Sequence, residues 1–476
     1  MSKEYRTPGV YVEEISKFPP SIAAVETAIP AFIGYTQTAM KGEEPITKPF
    51  RITSLLENEQ FFGGAYPENS AFAIQITDET DADDHLLNRD AVVTFTRNSV
   101  SKFNMYYALQ QYFNNGGGPC YIVSAGSYPE DGNIDPDDLE DGLNLLEEVD
   151  EPTLIVFPEG TNVAEAGQYY GLINSALAQC NKLGDRFVIM DVYPEEGDLR
   201  DDIETLRNSI SNDLAQIKYG AAYFPFIDTY LSLNVNPALA ITHVVNKEGA
   251  DDPLTGAYTT LAVLKTQNPQ LYNQLFAEIR KNTVQLPPSP FVAGVYARVD
   301  NERGVWKAPA NVSLNGVKKL LTGITNDDNN FMNVDPGSGK SVNAIRFFTG
   351  KGVLVWGART LAGNDNEWKY VNVRRFFNFA EESIKKGTER FVFEPNDANT
   401  WVKVKAMIEN FLTNQWRGGA LAGAKPEDAF FVKVGLGQTM TAQDILDGKL
   451  IIEIGMAVVR PAEFIILRFS HKMQQS

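Results

Sequence analysis

TLIVFPEGTNVAEAGQYYGLINSALAQCNKLGDRFVIMDV, residues 153–192, reads as an apolar strand, a helix and a second apolar strand. The runs at 153–157 and 186–192 are rich in β-branched and aromatic residues with little polar relief, as strands covered on both faces require. Between them Tyr170, Ile173, Leu177 and Cys180 fall on one helical stripe. A helix at 199–212 and another apolar run at 221–227 continue the rhythm. Strand–helix–strand units of this kind predict a largely parallel sheet covered by helices.

Toward the N-terminus, IPAFIGY at 29–35 reads as a buried strand and 52–62 as a short helix stopped by Gly63-Gly64. Residues 65–100 are polar, turn-rich and strand-like and read as a peripheral insertion. A helix at 101–114 ends in Gly116-Gly117-Gly118 and leads into a strand at 120–124. Toward the C-terminus, 233–265 is loop-rich, 270–281 is helical, and LPPSP at 286–290 reads as a boundary. Beyond it come a strand-like run at 347–356, a helix at 371–386 with Val373, Phe376, Phe377, Ala380 and Ile384 on one stripe, a strand at 391–393, a helix at 400–416, and strands at 430–434 and 450–459. The expected architecture is an α/β domain over 21–285 and an α+β domain over 286–459, with strand-forming arms at 1–20 and 460–476.

The formal charge is −19, which argues against a nucleic-acid partner. Residues 1–285 carry 18 basic and 42 acidic side chains; residues 286–476 carry 24 and 19. This asymmetry predicts a mildly basic C-terminal module able to face an acidic partner. No run is long and apolar enough to span a membrane, and the first fourteen residues lack the apolar core of a signal peptide. Two cysteines in mid-chain make no disulfide framework and fit a reducing cytoplasm.

Catalytic motifs are suggested and then fail. Gly337-Ser338-Gly339-Lys340-Ser341 resembles a phosphate loop, but Val334 stands where that loop needs its first glycine. Asn115–Gly118 follows a helix and precedes a strand, the reverse of a phosphate cradle. The acidic run 78–84 lacks the spacing of a calcium loop and reads as a solvated surface loop. His85, His243 and His471 are scattered, so no zinc site is expected. The reading is of a non-enzyme with no cofactor and no metal.

The ends carry the remaining signal. Val10, Tyr11, Val12 and Ile15 follow a Thr-Pro-Gly turn, and Phe464, Ile465, Ile466, Leu467 and Phe469 follow Arg460-Pro461. Apolar end strands either fold back on their own domain or pair with another chain. The stretches TPGVYVEEI (7–15), PAFIGYT (30–36), FNNGGGPCYIV (113–123), GVYARVDNERGVWKAPAN (294–311), VLVWGARTLA (353–362), WKYVNVRRFFNFAEESIKKGTERFVFEPND (368–397) and IEIGMAVVRPAEFIILRF (452–469) resemble, in this order, the contractile tail sheath proteins of phages, R-type pyocins and extracellular contractile injection systems.

That resemblance implies stacked hexamers wound helically around an inner tube, with baseplate, terminal cap and sister sheath proteins as further partners. It implies assembly in the bacterial cytoplasm, within a phage tail or released tail-like particle, with no membrane insertion. It assigns the two apolar ends to inter-subunit arms and Ile451, Ile452, Ile454 and Val458 to the sheet receiving them. It places the acidic domain outward and the C-terminal domain against the tube, with Lys318, Lys319, Arg374, Arg375, Lys385 and Lys386 as candidate tube contacts. An α/β enzyme and a non-contractile tube or shell protein are the competing readings.

Overall fold

The computed structural model describes residues 21–195 and 197–468. The chain forms two compact units. Among the described residues the larger is Glu26–Phe379 together with 460–468; the smaller is Ala380–Val459 with 21–25.

In the larger unit nine strands form one sheet, in the order Val312–Ser313, Gly352–Val355, Val342–Phe348, Gly220–Phe224, Phe187–Asp191, Leu154–Val156, Pro30–Thr36, Cys120–Ser127 and Phe50–Ile52. From Val342–Phe348 to Cys120–Ser127 every neighbouring pair is parallel, and antiparallel strands close both edges. Alternate residues divide between two apolar layers. Phe32, Leu154, Val156, Phe187, Ile189 and Tyr223 face one; Ala31, Ile33, Ile155, Val188, Met190 and Ala222 face the other. Helices Pro136–Leu146 and Ala166–Leu183 pack on the second face, and Met105–Asn114 and Ser289–Arg303 on the first. A strand covered on both sides has no wet face, so its sequence shows no polar alternation.

The helix Ser289–Arg303 explains what LPPSP does. Pro290 lies in its first turn, where the missing N–H costs nothing. Every residue from Ser289 to Ala297 is buried, so no amphipathic stripe marks the helix. Residue 286 therefore lies inside the larger unit: Thr283–Leu286 pairs with Ile227–Ser232, and Val342–Phe348 pairs with Gly220–Phe224. The stretch 65–100 is a hairpin, Phe72–Thr80 with Leu86–Phe95, in a four-stranded sheet with Ile241–Lys247 and Leu254–Thr255. Its Phe72, Ile74 and Ile76 are core residues. Two of these strands come from the 233–265 region expected to be loop.

The smaller unit holds the end of helix Val371–Thr388, the helix Ala398–Arg417 and a two-stranded antiparallel sheet, Phe430–Val434 with Ile452–Met456. Asp397 caps Ala398–Arg417 by accepting from the Thr400 N–H. Val404, Met407, Ile408, Phe411 and Leu412 from that helix are buried, as are Val432 and Val434 from the sheet. The expected strand at 391–393 is a 3₁₀ turn, Glu389–Phe391, followed by Phe393 at φ 68° and fully exposed. A three-residue run without a pairing partner has no ladder to hold it extended.

Gly142 on helix Pro136–Leu146 marks close helix-on-sheet packing, because a Cβ there would lie 2.7 Å from Ile33 Cγ2. Gly142→Ala should lower the thermal midpoint even though alanine is the better helix former. Overpacking costs about 1–3 kcal/mol against about 1 kcal/mol of propensity gained. A raised midpoint by calorimetry would refute the packing account.

Candidate assembly interface

The C-terminal segment leaves the smaller unit after Val459, whose N–H donates to Ala420 O. Four residues on, Glu463 is fastened to the larger unit. Its carboxylate accepts from Arg359 Nε at 2.9 Å and Nη2 at 2.7 Å, from Asn333 Nδ2 at 2.8 Å and from the Tyr370 hydroxyl at 3.1 Å. Burial pushes this carboxyl up, but the Arg359 and Asn333 hydrogen bonds and the Arg359 charge outweigh it and hold it below the usual glutamate range. Immediately beyond, the exposures of Phe464, Ile465, Ile466 and Leu467 are 69, 79, 76 and 72%. Phe469 lies outside the described residues, as do Val10, Tyr11, Val12 and Ile15.

The sheet expected to receive arms is a thin one. Among the described residues it has two strands, with Ile452 opposite Val434 and Ile454 opposite Val432. Ile451 is 40% exposed, Ile452 and Ile454 are half-buried, and Val458 bridges to Leu421.

The six basic candidates part company. Arg374 and Arg375 are buried at 2 and 3% exposure, which removes them as surface contacts. Arg374 donates to Asn378 Oδ1 at 2.7 Å and lies over the Trp368 and Tyr219 rings. Arg375 forms a two-pronged pair with Asp300, at 3.1 and 2.6 Å, and donates to Thr27 O. On the helix Val371–Thr388 they occupy the inward face, where a cation persists only if paired. Lys318 is 3.6 Å from Asp228; Lys319 is exposed. Lys385 and Lys386 both pair with the buried Glu382 at 3.2 Å. The basic excess of the C-terminal half does not lie in the smaller unit. Residues 380–459 hold nine basic and eleven acidic side chains, whereas 286–379 hold twelve and seven.

The groups an enzyme would need are consumed by the fold. Lys340 is wholly buried and donates to Arg207 O and Ile210 O at 2.5 Å each, at the end of helix Leu199–Ser209. His243 is stacked on Tyr258 and sits 3.0 Å from Asp78. Asp78, read as part of a solvated acidic loop, is buried in a strand with Arg89 paired across the ladder. Glu159 is buried and accepts three backbone N–H groups, from Tyr35, Asn104 and Met105, at the start of helix Met105–Asn114. Asp191 is buried and accepts from the Ser289 N–H and hydroxyl at the start of Ser289–Arg303. Burial raises both carboxyls, partly offset by those donors, to about 7. Burial likewise pushes up the free thiols of Cys120 and Cys180. Among the described residues no group of His, Cys, Asp and Glu could hold a metal ion, and no helix is long and apolar enough to cross a membrane.

Among the described residues, then, the apolar run Phe464–Leu467 lies exposed on a clamped root, Glu463. The helical sheath of the anti-feeding prophage, solved in its contracted state, is similar over 98% of this chain and all of its own, at 32% identity and a TM-score of 0.63. The sheath of the PVC extracellular contractile injection system, also contracted, is similar over 99% of both chains at 28% identity and a TM-score of 0.63. Residues 363–472 match the phage tail sheath C-terminal domain. The tail sheath protein of Burkholderia phage BcepMu is 25% identical over 228 residues, 46% of this chain and 45% of that one. The curated sheath relatives from this phage and from Vibrio phage KVP40 are matched over less than half of their own length. The chain belongs to the contractile sheath family: it is a structural sheath subunit, not an enzyme.

Glu463 and its partners escaped the sequence reading. The available signal was a single carboxylate at the head of an apolar run, a charge that needs a partner if the run is to approach protein.

Two outcomes check the buried polar groups. Asp300→Ala strands the Arg375 charge and should destabilise the larger unit by about 3–5 kcal/mol; a denaturant midpoint unchanged from the parent would refute this. Asp191 holds a proton up to about pH 7 in the folded chain but only to about pH 3.9 unfolded. Its contribution to stability therefore falls as pH rises through that window and levels off above it. Asp191→Asn should flatten part of this slope in melting temperatures taken from pH 5 to 8.

Proposed function

We propose that this subunit polymerises helically around an inner tube and contracts to drive that tube through a target membrane. The carrying observation is the run Phe464–Leu467, four large apolar side chains left in water on a root that is itself pinned. In a neighbouring copy the run gains a sheet edge. Burying each such side chain contributes about 1.5–3 kcal/mol, and each ladder hydrogen bond adds about 1 kcal/mol. The receiving edge belongs to the sheet containing Ile452 and Ile454, extended by Ile451 and Val458, and the N-terminal arm through Val10, Tyr11, Val12 and Ile15 serves the same mesh.

Two arms reaching different neighbours make heterologous contacts, and such contacts propagate a helix when the rotation does not close. Contraction is then a change between two packings of rigid subunits, triggered at a baseplate, with the arms keeping the mesh continuous. The free energy is stored at assembly and no nucleotide is hydrolysed. Lys318, Lys319, Lys385 and Lys386 are the basic side chains that serve as tube contacts in this reading.

Negative-stain microscopy of the chain expressed alone, beside a version ending at Val459, tests the reading. Uniform hollow tubes from the full chain and none from the truncation are expected. Tubes from both would sink strand donation by the C-terminal arm, and dispersed particles from both would remove self-assembly through the end strands.

A further inference from the structure

The C-terminal arm follows the smaller unit in sequence but is bonded to the larger one. Arg359, 5% exposed, holds Glu463 with two nitrogens. Its Nη1 donates to Asn333 O at 3.1 Å, and Asn333 Nδ2 donates to the same Glu463 carboxylate. The Arg359 backbone is fixed in turn by one side chain. Asn343 Oδ1 accepts from the Arg359 N–H at 2.7 Å, and Asn343 Nδ2 donates to Arg359 O at 2.8 Å and to Ala222 O at 3.1 Å. Asn343 lies in Val342–Phe348 and Ala222 in Gly220–Phe224, two adjacent parallel strands of the nine-stranded sheet. A chain of charged and amide hydrogen bonds thus runs from the arm root into the parallel strands of the nine-stranded sheet. On the other side of Glu463 the attachment stops abruptly: its side chain is 21% exposed, whereas those of the next four residues are mostly in solvent.

We infer that the Arg359–Glu463 pair is the anchor of the C-terminal arm: it ties the arm to the central sheet of its own subunit and sets the point from which the free strand departs. On the strand-donation reading above, tension on a donated strand then reaches the larger unit's sheet and not the smaller unit that precedes the arm. The anchor also fixes how many residues are available to span the gap to a neighbour. Glu463 is a positioning residue in this scheme, because the contact with the neighbour is made by the residues after it. Its donor set of one guanidinium, one amide and one phenol favours a carboxylate over an amide, since a glutamine would present an NH₂ group to donors.

The test uses the full chain with Ile466→Cys carrying a spin label. Cys120 and Cys180 are buried, so the introduced thiol is the one modified. In the free subunit, measured well below each variant's melting transition, Glu463→Gln and Glu463→Ala should each shrink the restricted component of the label's spectrum at least about tenfold, the effect of unmaking a well-formed charged contact. In assembly, both variants should yield fewer tubes or tubes of altered helical rise, although the donated strand is intact. An unchanged label spectrum overturns the anchor. A mobile label with tubes of parental number and rise overturns its role in the lattice. The chain ending at Val459 separates this from the broader reading: if that truncation still forms tubes, strand donation fails, whereas loss of tubes there with parental behaviour of both Glu463 variants defeats only the anchor.

Discussion

The larger unit depends on a parallel sheet that must be sealed on both faces. Every central strand sends alternate side chains into two separate apolar layers, so helices have to cover each side. That constraint dictates which polar groups the fold can tolerate. Glu159 and Asp191 are buried without a cation; at a helix start, where the helix dipole favours negative charge, Glu159 accepts three main-chain N–H groups and Asp191 accepts the Ser289 N–H and hydroxyl. Arg375 is buried only because Asp300 and the Thr27 carbonyl meet it. Lys340 is buried only because two helix-end carbonyls accept hydrogen bonds from its ammonium. The residues that look chemical in the sequence are those that make a dry, doubly covered sheet possible.

Sealing the unit completely leaves the apolar C-terminal run unaccommodated. Phe464 to Leu467 have no layer of their own to enter, and the smaller unit's sheet has only two strands among the described residues. A two-stranded sheet is marginal by itself. On the strand-donation proposal, the thin sheet and the exposed apolar run are complementary, and joining them between copies of the chain would satisfy both.

Charge is a poor guide to architecture here. The C-terminal half is basic by count, yet the excess lies in 286–379, within the larger unit, and Lys340, Arg359, Arg374 and Arg375 are buried there in pairings with their own subunit. A tally of formal charges cannot separate a cation that faces a partner from one that neutralises a buried carboxylate. On helix Val371–Thr388 Arg375 is buried against Asp300, while Lys385, ten residues on, is exposed and paired with Glu382.

By itself the sequence determined the α/β class, the parallel core strands, the amphipathic helices of the smaller unit and the apolar ends, because periodicity and run length are local properties. The order of motifs from residue 7 to 469 was enough to place it among sheath proteins. Only the tertiary structure decided where the units divide, because Ser289–Arg303 is buried all round and carries no stripe, so a proline that opens a core helix looked like one that opens a linker. It also decided that 233–265 supplies strands to the hairpin at Phe72–Phe95, since pairing partners are remote in sequence. And it decided that Glu463 is held while Phe464 is free: the partners of that carboxylate lie 93 to 130 residues earlier, and a hydrogen bond across such a separation has no periodic trace in the chain.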